Sequence, residues 1–289
     1  MDLVLSFADQ HLLTPFIYPK SWPENDIYRQ ALSLLLIANV GGALLYLGLA
    51  TFSYYAIFDK RLMNHPQILK NQIYLEIMVA LKSIPFMSLP TVAIFLCEVR
   101  GYSRLYDADL EAGIAGILWD IGKSAAGFLL FTDSLIYWIH RWLHHRSVYK
   151  YLHKTHHKWK VPTPFASHAF HPIDGFLQSV PYPIYPFLFP MNKIVYLCYC
   201  VLVLLVAVNI WAVSIHDGNY NVPWFLQPVI CGAAHHTDHH TFFDYNYGQF
   251  FTMWDRIGGS FSTPTAFENK APIDIVLGKA IDDDIKKTK

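Results

Sequence analysis

The sequence predicts an all-α integral membrane protein: about four to five transmembrane or re-entrant helices with a cytosolic, histidine-rich helical cap. Three observations predict it. Of 289 residues, 53% are hydrophobic and only 15% charged, against about 25% charged in a soluble globular chain, so polar side chains cannot cover a water-facing surface. The apolar residues gather in uncharged runs long enough to cross a hydrocarbon core of about 30 Å. Thirteen of the fifteen histidines fall between His140 and His240, many at helical spacing. Twenty-two basic residues balance twenty-two acidic ones, which leaves no basic excess for nucleic acid, and the apolar content excludes an intrinsically disordered chain. The four cysteines, Cys97, Cys198, Cys200 and Cys231, lack a paired metal spacing and are too few for a disulfide framework.

The spans follow in order. Residues 30–58 hold no charge until the end of the run; the first 28 residues lack the basic start of a secretory signal, so this run is a retained anchor. Residues 75–97 form a second span, interrupted by Lys82, Pro85 and Pro90. The third, 114–139, carries Asp120, Lys123 and Asp133, charges that belong against protein rather than lipid. Residues 175–192 are uncharged but hold Pro181, Pro183, Pro186 and Pro190, which fits a kinked or re-entrant segment better than a straight helix. Residues 194–215 are the fifth candidate. With no internal repeat or linker, 1–289 reads as one domain with its histidine region at 140–261.

Basic loops set the direction. Arg141, Arg146, Lys150, Lys154, Lys158 and Lys160 face no acidic residue between positions 140 and 161, and Lys60, Arg61 and Lys70 mark the loop after the first span. Placing both loops in the cytosol puts the N-terminus outside, returns His216 to the cytosolic side through the 175–215 hairpin, and leaves the C-terminus cytosolic. There Lys286-Lys287-Thr288-Lys289 reads as a dilysine retrieval signal of the endoplasmic reticulum.

Three histidine clusters repeat one geometry: His140 with His144, His153 with His156 and His157, and His236 with His239 and His240. On a helix, offsets of three and four bring side chains to one face about 5–6 Å apart at Cβ, close enough to share one ion or two neighbouring ones. Eight imidazoles exceed a single tetrahedral zinc and suit a pair of ions. His216, just before Asp217 and the helix-ending Gly218, is a further ligand candidate. His145 and His235 extend clusters already complete and read as supporting or structural. His168 and His171 stay open between ligand, supporting residue and helix start. Asp133 shares a helical face with Tyr137, His140 and His144, where it either receives a ring N–H from a ligating imidazole or pairs with Lys123 or an arginine; Asp217 is a supporting candidate. His11 and His65 read as ordinary surface or hydrogen-bonded residues.

Absences narrow the chemistry. The five glutamates, Glu24, Glu76, Glu98, Glu111 and Glu268, all lie outside 140–240, so the glutamate-rich di-iron site of ferritin-like bundles cannot form there. No H-E-x-x-H occurs, which removes the common zinc-protease arrangement. Imidazole suits zinc, copper, iron and nickel, and a positively charged pair held by neutral rings favours iron in an oxygen-activating role. A membrane zinc hydrolase and a non-catalytic metal binder or transporter are the distant alternatives.

The boxes HRWLHH (140–145), HKTHH (153–157) and HHTDHH (235–240) resemble those of the fatty acid hydroxylase superfamily of membrane di-iron enzymes. The stretches TPFASHAFHPIDGFLQSVPYPIYPFLFP (163–190), SIHDG (214–218) and FFDYNYGQFFTMWDRIGGSF (242–261) resemble its sterol C5-desaturases, a likeness that extends over nearly the whole chain. The resemblance implies iron ligands at His140, His144, His153, His156, His157, His236, His239 and His240, with His216 as another. It implies insertion of a C5–C6 double bond into a Δ7-sterol, with O2 as co-substrate and electrons from cytochrome b5 and its reductase. The chain shows no haem-binding or nucleotide fingerprint, so electrons are expected from a separate protein, with the basic 141–160 segment as its docking surface or as a lipid-headgroup contact. Phe165, Phe170, Tyr182 and Tyr185 are the expected walls of the sterol cavity, with ordinary packing as the competing role. A sterol or fatty-acyl hydroxylase, or a methyl-sterol oxidase, is the nearest alternative on the same scaffold.

Overall fold

The computed structural model describes residues 1–198, 207–220, 222–268 and 270–278. Among the described residues three helices are long and apolar enough to cross a membrane: Ile27–Ala56, Gln72–Val99 and Gly113–Leu143. A short helix, α1 (Asp2–Ala8), precedes them and winds on through a π-turn to Phe16; the three spans are α2, α3 and α4. Each starts within three residues of its expected position; α2 ends two residues short of its expected end, and α3 and α4 reach two and four residues beyond theirs. Leu44, Phe52, Phe86, Leu89 and Leu118 on these helices are exposed, as a lipid-facing surface requires. The chain is a membrane protein.

The helix ends have local causes. Asp26 caps α2 by accepting the amides of Tyr28 and Arg29 at 2.9 and 3.0 Å. The buried Arg29 meets Asp9 at 3.5 Å and Thr14 at 2.7 Å and lies over the Tyr18 ring, so it ties α1 to the start of α2. Pro85 and Pro90 sit inside α3 without ending it; Ser88 donates to the Pro85 carbonyl at 2.8 Å and accepts from Asn39 at 2.9 Å, joining α3 to α2. The charges inside α4 meet protein: Asp120 accepts from Tyr106 (2.6 Å) and Asn192 (2.7 Å) and pairs with Lys123.

Beyond α4 the chain breaks into short pieces that build the site: α5 (Arg146–Leu152), α6 (Pro172–Ser179), α7 (Pro181–Leu188), α8 (Lys193–Cys198), α9 (Val208–Ser214), α10 (Ala233–Phe242), α11 (Met253–Ile257) and α12 (Pro272–Val276). Two-residue strands, β1 (Leu105–Tyr106) and β2 (Met191–Asn192), pair in parallel. The proline-rich 175–192 stretch is not one straight helix: α6 ends at Ser179 and α7 opens on Pro181. Only the two ends of the 194–215 candidate are seen, in α8 and α9; its middle, like the dilysine segment and Cys200, lies outside the described residues.

Polar groups on α2 and α3 hold the connecting stretch 161–170 in place. Gln72 donates to the Val161 carbonyl at 2.9 Å, Tyr46 to that of Phe165 at 2.9 Å and Ser83 to that of Phe170 at 2.5 Å. The Thr163 hydroxyl donates to buried Glu76, and Thr163 caps the 3-10 turn Pro164–His168.

Candidate metal centre

Nine imidazoles converge from four parts of the chain. His140 lies on the last turn of α4, with His144 at its C-cap. The second cluster departs from the expected helix: α5 stops at Leu152, His153 is its cap, and His156 and His157 stand on a 3-10 turn. The turn still brings the rings together. His216 follows α9 by two residues, and Gly218 turns the chain away at φ +66°, a conformation that favours glycine. The third cluster lies on α10, which is buried along its length from Ala233 to His240.

The rings sort into two sets, each able to bring one ligand atom per residue within 4.8 Å of the others: His140, His144, His153, His157 and His239, and His156, His216, His236 and His240. Neighbours in sequence divide between them. His156 and His157 serve opposite sets, as do His239 and His240, because one residue on a helix is a turn of about 100°. The sets abut at the rings of His157 and His240, 4.8 Å apart.

Within each set, Nε2 atoms face Nε2 atoms. His153 lies 3.1 Å from both His140 and His157, and His236 lies 3.0 Å from His216 and 3.1 Å from His240. The far nitrogens show why these edges are free for a ligand. Nδ1 of His140, His239 and His216 donates to the carbonyls of Tyr247, Tyr245 and Ala212 at 2.6–2.8 Å, and His153 Nδ1 donates to Asp174 at 2.7 Å with both side chains fully buried. Those bonds fix the tautomer and leave an Nε2 lone pair pointing inward. The inward Nε2 atoms of His144 and His239 have no hydrogen-bond partner, a costly state for a buried polar atom unless it is a ligand.

Burial, followed by mutual repulsion, holds His144, His156, His157, His236, His239 and His240 well below the ordinary imidazole range, and His216 at about 4. The rings are therefore neutral, the form that binds a metal. A cavity of about 270 Å³ opens beside them, walled by His140, His156, His216 and His236 at one side and by residues such as Met87, Phe95, Phe170 and Tyr182 elsewhere.

Residues 125–260 match the family model Fatty acid hydroxylase. The chain is 60% identical to human lathosterol oxidase over 96% of its own length and 90% of the relative's. It is 59% identical to the mouse lathosterol oxidase over 94% and 89%, and 52% identical to a delta(7)-sterol 5(6)-desaturase of Eremothecium gossypii over 87% and 69%. No solved structure matches it. The chain belongs to the Δ7-sterol 5(6)-desaturase family. It is thereby an oxidoreductase of the sterol desaturase superfamily.

In this desaturase-family chain the supporting candidates take different places. Among the described residues Asp133 meets no imidazole and no basic side chain; it accepts the amides of Phe250 and Phe251 at 2.9 and 3.2 Å. His145 is exposed and caps α5, and His171 caps α6. Asp217 accepts the Asn219 amide, and burial pushes it up to about 7. His235 is buried against Phe261 and Phe267, outside both sets. His168 lines the cavity and meets Asn209 at 2.9 Å. Among the cavity aromatics, Phe170 and Tyr182 line it. Phe165 instead packs with Tyr46 and Ala80, and Tyr185 with Phe128 and Met191: each sits on a turn or helix whose apolar face meets the bundle rather than the cavity. Asp174 was missed. It lies in no histidine box, and only its position after His171-Pro172 in the desaturase-like stretch offered a signal.

Proposed function

We propose that this protein inserts the C5–C6 double bond into a Δ7-sterol of the lathosterol type, giving a 7-dehydrocholesterol-type product, as a step in sterol biosynthesis at the cytosolic face of the endoplasmic reticulum. In this reading each histidine set holds one iron, and reduced cytochrome b5 supplies the electrons. The observation that carries it is the pair of abutting all-imidazole sets opening on an apolar cavity. The 3.0–3.1 Å Nε2 separations are short enough for the rings of each set to share one ion at a usual metal–imidazole distance of about 2.1 Å. When bound, the iron pair supplies O2 activation and hydrogen abstraction from unactivated carbon.

The chain's own part is placement. His156, His216 and His236 present one set to the cavity, while Phe170, Tyr182, Met87 and Phe95 give it walls that suit a flat apolar ligand and exclude water. The Tyr247, Tyr245 and Ala212 carbonyls and Asp174 keep the ring protons on the outer nitrogens. Arg146, Lys150, Lys154 and Lys158 recur every four residues on the exposed side of the second cluster, a charge pattern that suits an acidic one-electron carrier.

The test is the sterol profile of cells lacking the protein, compared with cells in which it is restored. A Δ7-sterol that accumulates without the protein and disappears on restoration supports the reading. A hydroxylated sterol as the product would replace it with the hydroxylase alternative.

A further inference from the structure

A second feature of the centre points outward rather than toward the cavity. Tyr247 lies against the five-histidine set, its ring 5.0 Å from that of His144, 5.4 Å from His239 and 5.8 Å from His140. Its ring is 6.4 Å from that of Tyr137, which is fully buried and 5.0 Å from Trp138. Trp138 is half exposed, and the Arg141 guanidinium lies 5.8 Å from its ring. Three aromatic rings thus connect the metal-binding set to the protein surface in short steps.

The middle ring is equipped to lose a proton. Ser260 donates its one hydroxyl proton to Asp255 at 2.8 Å, so its oxygen must accept the Tyr137 proton across their 2.7 Å contact. Arg141 donates to the Tyr137 oxygen at 2.8 Å and to the Gly258 carbonyl at 2.6 Å. A cation beside the phenol opposes a positively charged ring, so oxidation of Tyr137 must be coupled to departure of its proton, and the Ser260–Asp255 pair provides the route. Gly258 makes room for this arrangement: a Cβ there would sit 1.9 Å from the Tyr137 oxygen.

We propose that Tyr137, with Tyr247 and Trp138, is a hole-escape relay that returns an oxidised metal centre to a harmless state when no substrate is present. The inference rests on the proposed iron centre. Tyr137 gives one electron across the Tyr247 ring to the centre, and its phenolic proton passes to Ser260 while the Ser260 proton passes to Asp255. Trp138 then gives one electron to the Tyr137 radical, and the proton returns from Asp255 by the same path. The Trp138 cation radical takes one electron from a one-electron reductant of the thiol or ascorbate class at the surface. The net change is one electron from that reductant to the centre, with the protein unaltered. A centre able to oxidise an unactivated C–H bond will otherwise oxidise its own ligands.

The test uses the full-length, iron-loaded protein in nanodiscs with reductant and O2 but no sterol, as wild type and as Tyr137→Phe and Trp138→Phe. Freeze-quenched electron paramagnetic resonance should show a tyrosyl radical in wild type that is absent in Tyr137→Phe and several-fold longer-lived in Trp138→Phe. Both variants should inactivate several-fold faster than wild type without sterol. Trp138→Phe changes a surface side chain, so it decides the matter if Tyr137→Phe does not fold. Oxygen consumption with no radical dependent on these residues, and equal inactivation rates, would overturn the relay while leaving the iron centre standing. Stoichiometric iron binding with no oxygen consumption by any form, or no iron binding at all, would overturn the centre and the relay with it.

Discussion

The two histidine sets are built differently, and the difference assigns them different work. The five-membered set is braced from outside: His153 by Asp174, His140 by the Tyr247 carbonyl and His239 by the Tyr245 carbonyl. The four-membered set has one such brace, from the Ala212 carbonyl to His216, yet gives three of its four rings to the cavity wall, where the first gives only His140. Four donors leave room around an ion and five leave less. On the proposed reading the braced set is the rigid anchor, and the other is the face open to the cavity.

The largest effect that can break this comparison is loss of a ligand. His236→Ala should abolish sterol conversion and lower the iron content by about half, since it removes one donor from a set with only three others. His157→Ala should do the same to the anchor set. Metal analysis of the folded, purified variants checks both; unchanged iron and turnover in either would remove that ring from the site.

Next in size are the braces. Asp174→Asn keeps the shape but loses the charge that orients His153, and loss of such an outer partner costs roughly 10–100-fold in metal affinity or activity. Asp255 acts one step further away, holding the Tyr247 and Gly248 amides at 2.9 and 2.8 Å and so the carbonyl that receives His140. Asp255→Asn should weaken iron binding less than Asp174→Asn does, as read by competition with a chelator. The reverse order would mean that the carbonyl matters more than the carboxylate.

The cavity comes third. A Cβ on Gly175 would lie 2.2 Å from Phe170 and 2.7 Å from the Met87 sulfur, so Gly175→Ala must push Phe170 into the cavity or displace α6. Overpacking of this kind costs about 1–3 kcal/mol, and the expected result is a several-fold rise in KM with iron content unchanged. A loss of iron instead would show that α6, which also carries Asp174, has shifted.

Much of this was legible in the sequence, for reasons that differ by residue. The spans stand out because lipid tolerates few charges, and α2, α3 and α4 begin where charge density falls. Eight of the nine converging rings could be grouped because a spacing of three or four residues places side chains together on an α-helix, and His216 stood out only by its place before a helix-ending glycine; the 3-10 turn at His156–Lys158 achieves the same end by tighter winding. What the spacing could not give was the division into two sets, since that depends on how α9 and α10 dock against the end of α4. Asp174 and Asp133 illustrate the same limit. One sits in no box and touches a ligand; the other shares a helical face with two histidines and touches only backbone amides. Phe165 and Tyr185 were assigned to the cavity because they are aromatic and near the boxes, but in an apolar bundle aromatic character does not say which surface a side chain meets.

The smallest effect concerns pH, and it separates metal-free from metal-bound protein. An imidazole held below its unfolded value of about 6.5 contributes its full stability above that pH, and the contribution is lost as pH falls toward the folded value. For His216, held at about 4, the window runs from about 6.5 down to about 4, and the loss between pH 7.5 and 6 is about 0.8 kcal/mol. The six other depressed rings act in the same direction. Asp217, Asp238 and Asp255 oppose them, because burial raises all three and a raised carboxyl favours the folded state as pH falls, but three groups do not offset seven. Metal-free protein should therefore melt at a lower temperature at pH 6 than at pH 7.5. Iron-loaded protein should melt higher at both pH values and lose a similar amount over the same interval, because the folded metal-free rings are already neutral and give up no proton to hold the ion. Equal melting temperatures with and without iron would mean that the depressed imidazoles are packing residues, and the contrast between anchor and open set would lose its basis.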